Sequence, residues 1–182
     1  MGPFQSGAWL WRGLLPLIIG IGVQGMARAD HPNESAIKAG FVFNFIKFTQ
    51  WPGARDDDRS PLRVCAVDAN PLGGQLTLLQ GRPVGLRTID VRTQVAPGDW
   101  KACQVLYISE PDPVKVDAAI RSLGNAPILT VADVPNFVQL NGVIGLRLDD
   151  GRMRFDVNLG AAQRVGLQLN SQMVQLAGKV LR

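Results

Sequence analysis

From Leu62 onward, short β-rich runs alternate with helix-forming stretches, and that rhythm narrows the fold more than any other feature of the chain. Leu62-Arg-Val-Cys-Ala-Val-Asp68 reads as a strand and Pro71–Leu79 as a helix. Leu86–Arg92 and Val105–Ser109 are the next strands, Pro113–Leu123 a helix, Ile128–Val131 a fourth strand and Val134–Leu140 a short helix. Elements that follow each other this closely are joined by right-handed crossovers, which predicts a mainly parallel sheet with helices over both faces. Val105–Ile108 and Ile128–Val131 are apolar at nearly every position, as strands buried on both sides are.

The end of the chain departs from this rhythm. Asp149-Asp150-Gly151 is a hairpin turn signal between Val143–Leu148 and Arg152–Asn158, so an antiparallel hairpin closes the α/β body. Its second arm alternates cleanly, with Met153, Phe155 and Val157 on one face and Arg152, Arg154, Asp156 and Asn158 on the other. A final helix is expected from Asn170-Ser171. Its apolar stripe would be Met173, Val174, Leu176, Ala177, Val180 and Leu181.

Ahead of the first strand lies a helix capped by Asn33 or Ser35 and running to about Gln50, with Pro52 enforcing its stop. Four of the six phenylalanines beyond residue 29 fall in it, at Phe41, Phe43, Phe45 and Phe48, and Trp51 follows. A helix this apolar around its circumference belongs in a core, a dimer contact or a docking site.

Residues 1–29 read as an export signal: Arg12, the apolar run Leu14–Val23, then Ala27-Arg28-Ala29 with small residues where a signal peptidase cuts. The alternative is an uncleaved anchor over Trp9–Met26. Gly20-Ile-Gly22-Val-Gln-Gly25 inside it fits a dinucleotide-binding pattern but has no strand before it and no βαβ unit around it, so it carries no meaning. Cleavage after Ala29 leaves a single domain, Asp30 to Arg182, long enough to bury a core. Loss of Arg12 and Arg28 takes the basic residues from 19 to 17 against 15 acids, and no basic stripe with interleaved aromatics remains to bind nucleic acid. Cys65 and Cys103 both lie in that domain; delivered to an oxidising compartment they form one disulfide, the other reading being two buried free thiols.

Candidates for chemistry are few. His31 is the one histidine, two residues past the expected cut, so Ser-His, Cys-His and His-rich zinc arrangements are excluded. The Asp68-Ala-Asn70-Pro-Leu-Gly73-Gly74 stretch follows a strand, where anions gather in open α/β sheets, yet it is also ordinary turn chemistry and lacks a P-loop lysine. Asp149-Asp150 and Asp56-Asp57-Asp58 fall in turns, where desolvation is not expected, and are poor acid–base candidates. Arg152 and Arg154, one pleat apart with Asn158 on the same face, can grip a carboxylate or phosphate, or simply protect an edge strand. No catalytic group, metal site or cofactor site is expected.

The ordered set of motifs resembles the YfiR family of exported bacterial proteins. It opens with Ala36-Ile-Lys-Ala-Gly-Phe-Val-Phe-Asn-Phe-Ile-Lys-Phe-Thr-Gln-Trp-Pro52 and continues through Leu62-Arg-Val-Cys-Ala-Val67, Asn70-Pro-Leu-Gly73 and Cys103-Gln-Val-Leu-Tyr-Ile-Ser109. Ile128-Leu-Thr-Val-Ala-Asp133, the Phe137 helix, Gly142-Val-Ile-Gly145, Arg154-Phe-Asp-Val-Asn-Leu159 and Gly166-Leu-Gln-Leu-Asn-Ser171 complete it. The resemblance implies a periplasmic regulator with a Rossmann-like, three-layer α/β body. It also implies a partner, the periplasmic sensory domain of an inner-membrane diguanylate cyclase, held inactive by the regulator so that cyclic-di-GMP and biofilm formation stay low. Further implications are an OmpA-like outer-membrane lipoprotein that sequesters the regulator, a homodimer, and a match of Cys65 and Cys103 to the family's cysteine positions. Some relatives carry a second cysteine pair around the terminal hairpin; residues 134–159 here contain none, so redox switching through a second bridge is not carried over.

Two functional expectations follow. In the first, the chain is a non-enzymatic repressor that grips its partner through Phe41, Phe45, Phe48, Trp51, Phe137, Arg152 and Arg154. In the second, it is a periplasmic small-molecule sensor whose ligand sits at the sheet's C-terminal edge or on Arg152, Arg154 and Asn158.

Overall fold

The computed structural model describes residues 1–2, 32–55 and 57–182. The export-signal reading, the glycine pattern inside it, His31 and Asp56 thus fall almost wholly outside the described residues. In chain order the elements are α1 (Pro32–Lys47), β1 (Thr49–Gln50), β2 (Leu62–Ala66), β3 (Pro83–Val84), β4 (Arg87–Arg92) and β5 (Val105–Ile108). Then follow α2 (Pro113–Leu123), β6 (Leu129–Ala132), β7 (Ile144–Asp149), β8 (Arg152–Asn158), α3 (Leu159–Arg164), β9 (Gln168–Leu169), α4 (Ser171–Gln175) and β10 (Val180–Leu181). Short 3-10 segments cover Pro71–Leu79, Pro97–Ala102 and Phe137–Leu140.

Eight strands form one sheet in the order β10-β8-β7-β6-β5-β2-β4-β3, with β1 and β9 pairing separately. β4, β2, β5, β6 and β7 run parallel; β8 turns back against β7, and β3 against β4. This is the mixed α/β architecture that the alternation of the sequence predicts. Every residue of β5 and β6 is buried. Successive side chains point to opposite faces of a strand. Val64, Val105, Tyr107, Leu129 and Val131 accordingly join a core under α1, while Cys65, Leu106, Ile108 and Ala132 join a second one with α2 and Phe137.

α1 spends one face on the first core. Val42, Phe45 and Ile46 are buried, and the Phe45 ring meets Phe155 of β8 edge-on with centroids 5.0 Å apart. The helix stops at Lys47, before the expected Gln50, because the Thr49 hydroxyl donates to the Phe45 carbonyl at 2.7 Å and Thr49-Gln50 then pair with Leu169 and Gln168. The disulfide joins Cys65 of β2 to Cys103, with Cα atoms 6.0 Å apart, inside the second core. It ties the Pro97–Ala102 segment to the sheet's central strands.

Three expectations need correction. The Pro71–Leu79 stretch is no regular helix: Leu72, Gly73 and Gly74 take φ of 53°, 57° and 85°, which breaks it into 3-10 turns. The final helix ends at Gln175. Gly178 then lies against the hairpin, where an added Cβ would come within 2.5 Å of Arg147 Nη2, and its amide donates to the Phe155 carbonyl at 2.8 Å. The chain consequently goes extended, and Val180 and Leu181 pair with Val157 and Asn158 instead of completing a helical stripe. Finally, α3 is a helix that the apolar pattern does not announce; it begins because the Asn158 side chain accepts from the Ala161 amide at 2.7 Å. The hairpin turn is as expected, with Asp150 and Gly151 both at positive φ.

Two outcomes test this packing. A Cβ at Gly142 would run into the Phe137 ring, so Gly142→Ala is expected to destabilise by about 1–3 kcal/mol in urea denaturation. The paired change Cys65→Ala and Cys103→Ala opens a loop spanning 38 positions and is expected to cost about 4 kcal/mol, checked against the oxidised parent.

Candidate functional site

The C-terminal edge of the parallel strands carries two ion-pair clusters that join elements, one on Lys38 and one on Arg147. At its foot stands Lys38, in the middle of the apolar helix yet only 5% exposed. Its ammonium pairs with Glu34 one turn earlier at 2.8 Å and with Asp133, just past the end of β6, at 2.7 Å. A buried ammonium is tolerated when it is paired and hydrogen-bonded, so this contact fixes the start of α1 over the end of β6.

Beside it the β7–β8 hairpin rises past the end of β6. Its polar face is a braced charge network: Arg147 reaches Asp149 at 2.9 Å and Asp156 at 3.2 Å, and Arg154 reaches the same Asp149 at 3.2 Å. Hydrogen bonds to Asp149 and then Asp156 push the Arg147 guanidinium pKa above its ordinary value, so this charge is permanent. Between α1, the hairpin and the Phe137–Leu140 segment lies a cleft of about 550 Å³. Its walls combine Glu34, Lys38, Asp133, Arg147 and Asp156 with apolar Leu146 and Leu148.

The structure sorts the sequence-derived site residues into two groups. Phe45 and Phe137 are each 1% exposed and serve the two cores. Asn158 is buried as well; it caps α3 and donates to the Val138 carbonyl at 2.8 Å, which commits both ends of its amide. Arg154 is engaged by Asp149, while Arg152 lies exposed opposite Asp149 at the start of β8. Phe41 is half-buried against Phe45 and Phe155. Trp51 is half-buried with its indole N–H donating to the Gln104 carbonyl at 3.1 Å, and Phe48 is 38% exposed at the foot of α1. The surface members thus divide between the hairpin at one end of the sheet and Phe48 with Trp51 at the other. Lys38, Asp133, Arg147 and Leu148 were not singled out by sequence reasoning. The signal for Lys38 was the Glu34-Lys38 spacing inside an otherwise apolar helix.

Among the described residues, no group of three or more His, Cys, Asp or Glu is placed to hold a metal ion, and no helix is long and apolar enough to cross a membrane. Fold and surface together define an α/β domain with a covered parallel sheet and a braced C-terminal hairpin. The chain belongs to the YfiR/HmsC-like family, whose model matches residues 35–178. That family is regulatory and non-catalytic, and periplasmic. Among solved structures, the chain is similar to a conserved domain protein from Vibrio cholerae O1 biovar El Tor, with a TM-score of 0.52 at 10% identity. That likeness covers 80% of this chain and 60% of the Vibrio protein, so the chain spans under two thirds of its length. Among curated proteins none matches.

Lys38→Ala leaves two carboxylates facing each other without their cation and is expected to destabilise by about 3 kcal/mol in urea unfolding. Adding Glu34→Gln and Asp133→Asn to that variant should restore part of the loss, because the deficit comes from uncompensated charge.

Proposed function

We propose that this protein is a periplasmic repressor that binds the sensory domain of an inner-membrane diguanylate cyclase and holds that enzyme inactive, which lowers cyclic-di-GMP and restrains biofilm formation. Membership of the YfiR/HmsC-like family suggests a periplasmic regulator of diguanylate cyclase signalling, and it is the observation that carries the reading. The surface is consistent with action by contact. Leu148 stands exposed on the hairpin, whose charges pair with one another, and Phe48 stands exposed at the other end of the sheet. An exposed apolar side chain beside charged ones suits a protein interface.

In the same proposal, residues 1–29 are removed on export, the mature chain forms a homodimer, and an OmpA-like outer-membrane lipoprotein relieves repression by sequestering it. Deleting the gene is expected to raise cellular cyclic-di-GMP severalfold, and re-expression to lower it; unchanged levels in a strain that carries the cognate cyclase would rule the reading out. Phe48→Ser, which alters an exposed ring and leaves the core intact, is expected to raise cyclic-di-GMP partway toward the deletion while the melting temperature stays within a few degrees of the parent.

A further inference from the structure

β7 outruns its neighbour. All six of its residues pair with β8, but only Ile144 and Gly145 pair with β6. In an antiparallel ladder, residues that bond across the pair alternate with residues whose backbone groups turn away. The Asn158 amide donates to the Val143 carbonyl at 2.9 Å, which sets 145, 147 and 149 toward β8 and turns 144, 146 and 148 away from it. Leu148 therefore aims its N–H and C=O past the end of β6, where no strand lies beside it among the described residues.

The opposite edge of the hairpin is treated differently. Gly178 donates to the Phe155 carbonyl and Val157 donates to the Lys179 carbonyl, each at 2.8 Å, and β10 continues that cover. Folded proteins blunt or cover exposed strand edges because a bare edge is a template for another chain. Here one edge of the hairpin is sealed by the chain's own C-terminus and the other is left bare, facing the 550 Å³ cleft.

The chemistry around the bare edge selects its occupant. Of the charged side chains that line the cleft, Glu34, Asp133 and Asp156 are carboxylates and Lys38 and Arg147 are cations, so the cleft beside the bare edge carries one net negative charge. Leu148, 48% exposed, adds an apolar anchor beside its own open amide. We propose that an extended segment of the partner's sensory domain, carrying a lysine or arginine, adds as a strand to the open edge of β7 at Leu148. Main-chain hydrogen bonds supply the grip in such strand addition and the alternate side chains supply the choice. This inference rests on the repressor reading and names how its partner is held.

The test uses the protein purified from the periplasm and the purified periplasmic domain of the cyclase. Amide hydrogen exchange at Leu148 is expected to slow at least tenfold in the complex. Leu148→Pro deletes an N–H that β8 does not use, a position where a strand accepts proline, and is expected to weaken binding at least tenfold. Leu148→Ala keeps the N–H and should weaken it less. If the parent protein fails to bind the domain, the repressor reading and the strand addition both fall. If it binds while Leu148 exchange is unchanged and Leu148→Pro binds as tightly as the parent, only the strand addition is overturned. If Leu148→Pro instead dissolves a self-dimer and leaves affinity for the domain intact, a second copy of the chain occupies the edge and the assignment is wrong. Should that variant fail to fold, exchange protection in the unaltered protein decides.

Discussion

The central strands are apolar on both sides, and everything else in the molecule answers to that constraint. β5 and β6 leave no position for water, so each face of the sheet must be covered. α1 and the Pro71–Leu79 segment cover one face, and α2 with the Pro97–Ala102 and Phe137–Leu140 segments covers the other. The aromatic richness of α1 follows from this duty. Its phenylalanines fill the space over β8 and the neighbouring strands, and what remains outside is a fringe at Ile37 and Phe48.

Covering a sheet leaves its rim to be organised by polar contacts. Lys38 is the clearest instance, since a charged side chain inside an oily helix is an expense unless it secures something in return. It secures the angle between α1 and the end of β6 through two carboxylates from different elements. The hairpin repeats the device with Arg147, whose two partners lie on both arms. These paired charges hold the rim in one geometry, and a surface held in one geometry loses less entropy when a partner arrives.

Periodicity made β2, β4, β5, β6, α2 and the hairpin legible, because their burial is set by neighbours close in sequence or by a plain two-residue alternation; the two-residue strands β1, β3, β9 and β10 are too short to carry that signal. Asp150-Gly151 announced its own turn by the backbone conformation it permits. The misses share another cause. The Pro71–Leu79 segment looked helical because apolar spacing does not register that Leu72-Gly73-Gly74 occupies the left-handed region. Val180 and Leu181 fitted a helical stripe but are claimed by a strand edge far away in sequence. At the surface, composition marked Phe45, Phe137 and Asn158 as contact residues, whereas long-range packing spends all three internally. The bare edge of β7 had no sequence signature, since it exists only because β6 stops early.

The two-residue strand β10 has a kinetic consequence. Gly178 to Leu181 follow the hairpin in the chain, and until they dock the outer side of β8 stands uncovered. The hairpin spends its youth with both flanks available to other unfinished chains, and the docking of β10 closes one of them. A chain whose β10 fails to dock would keep nearly all of its core and still carry a permanent adhesive flank, prone to stacking with copies of itself.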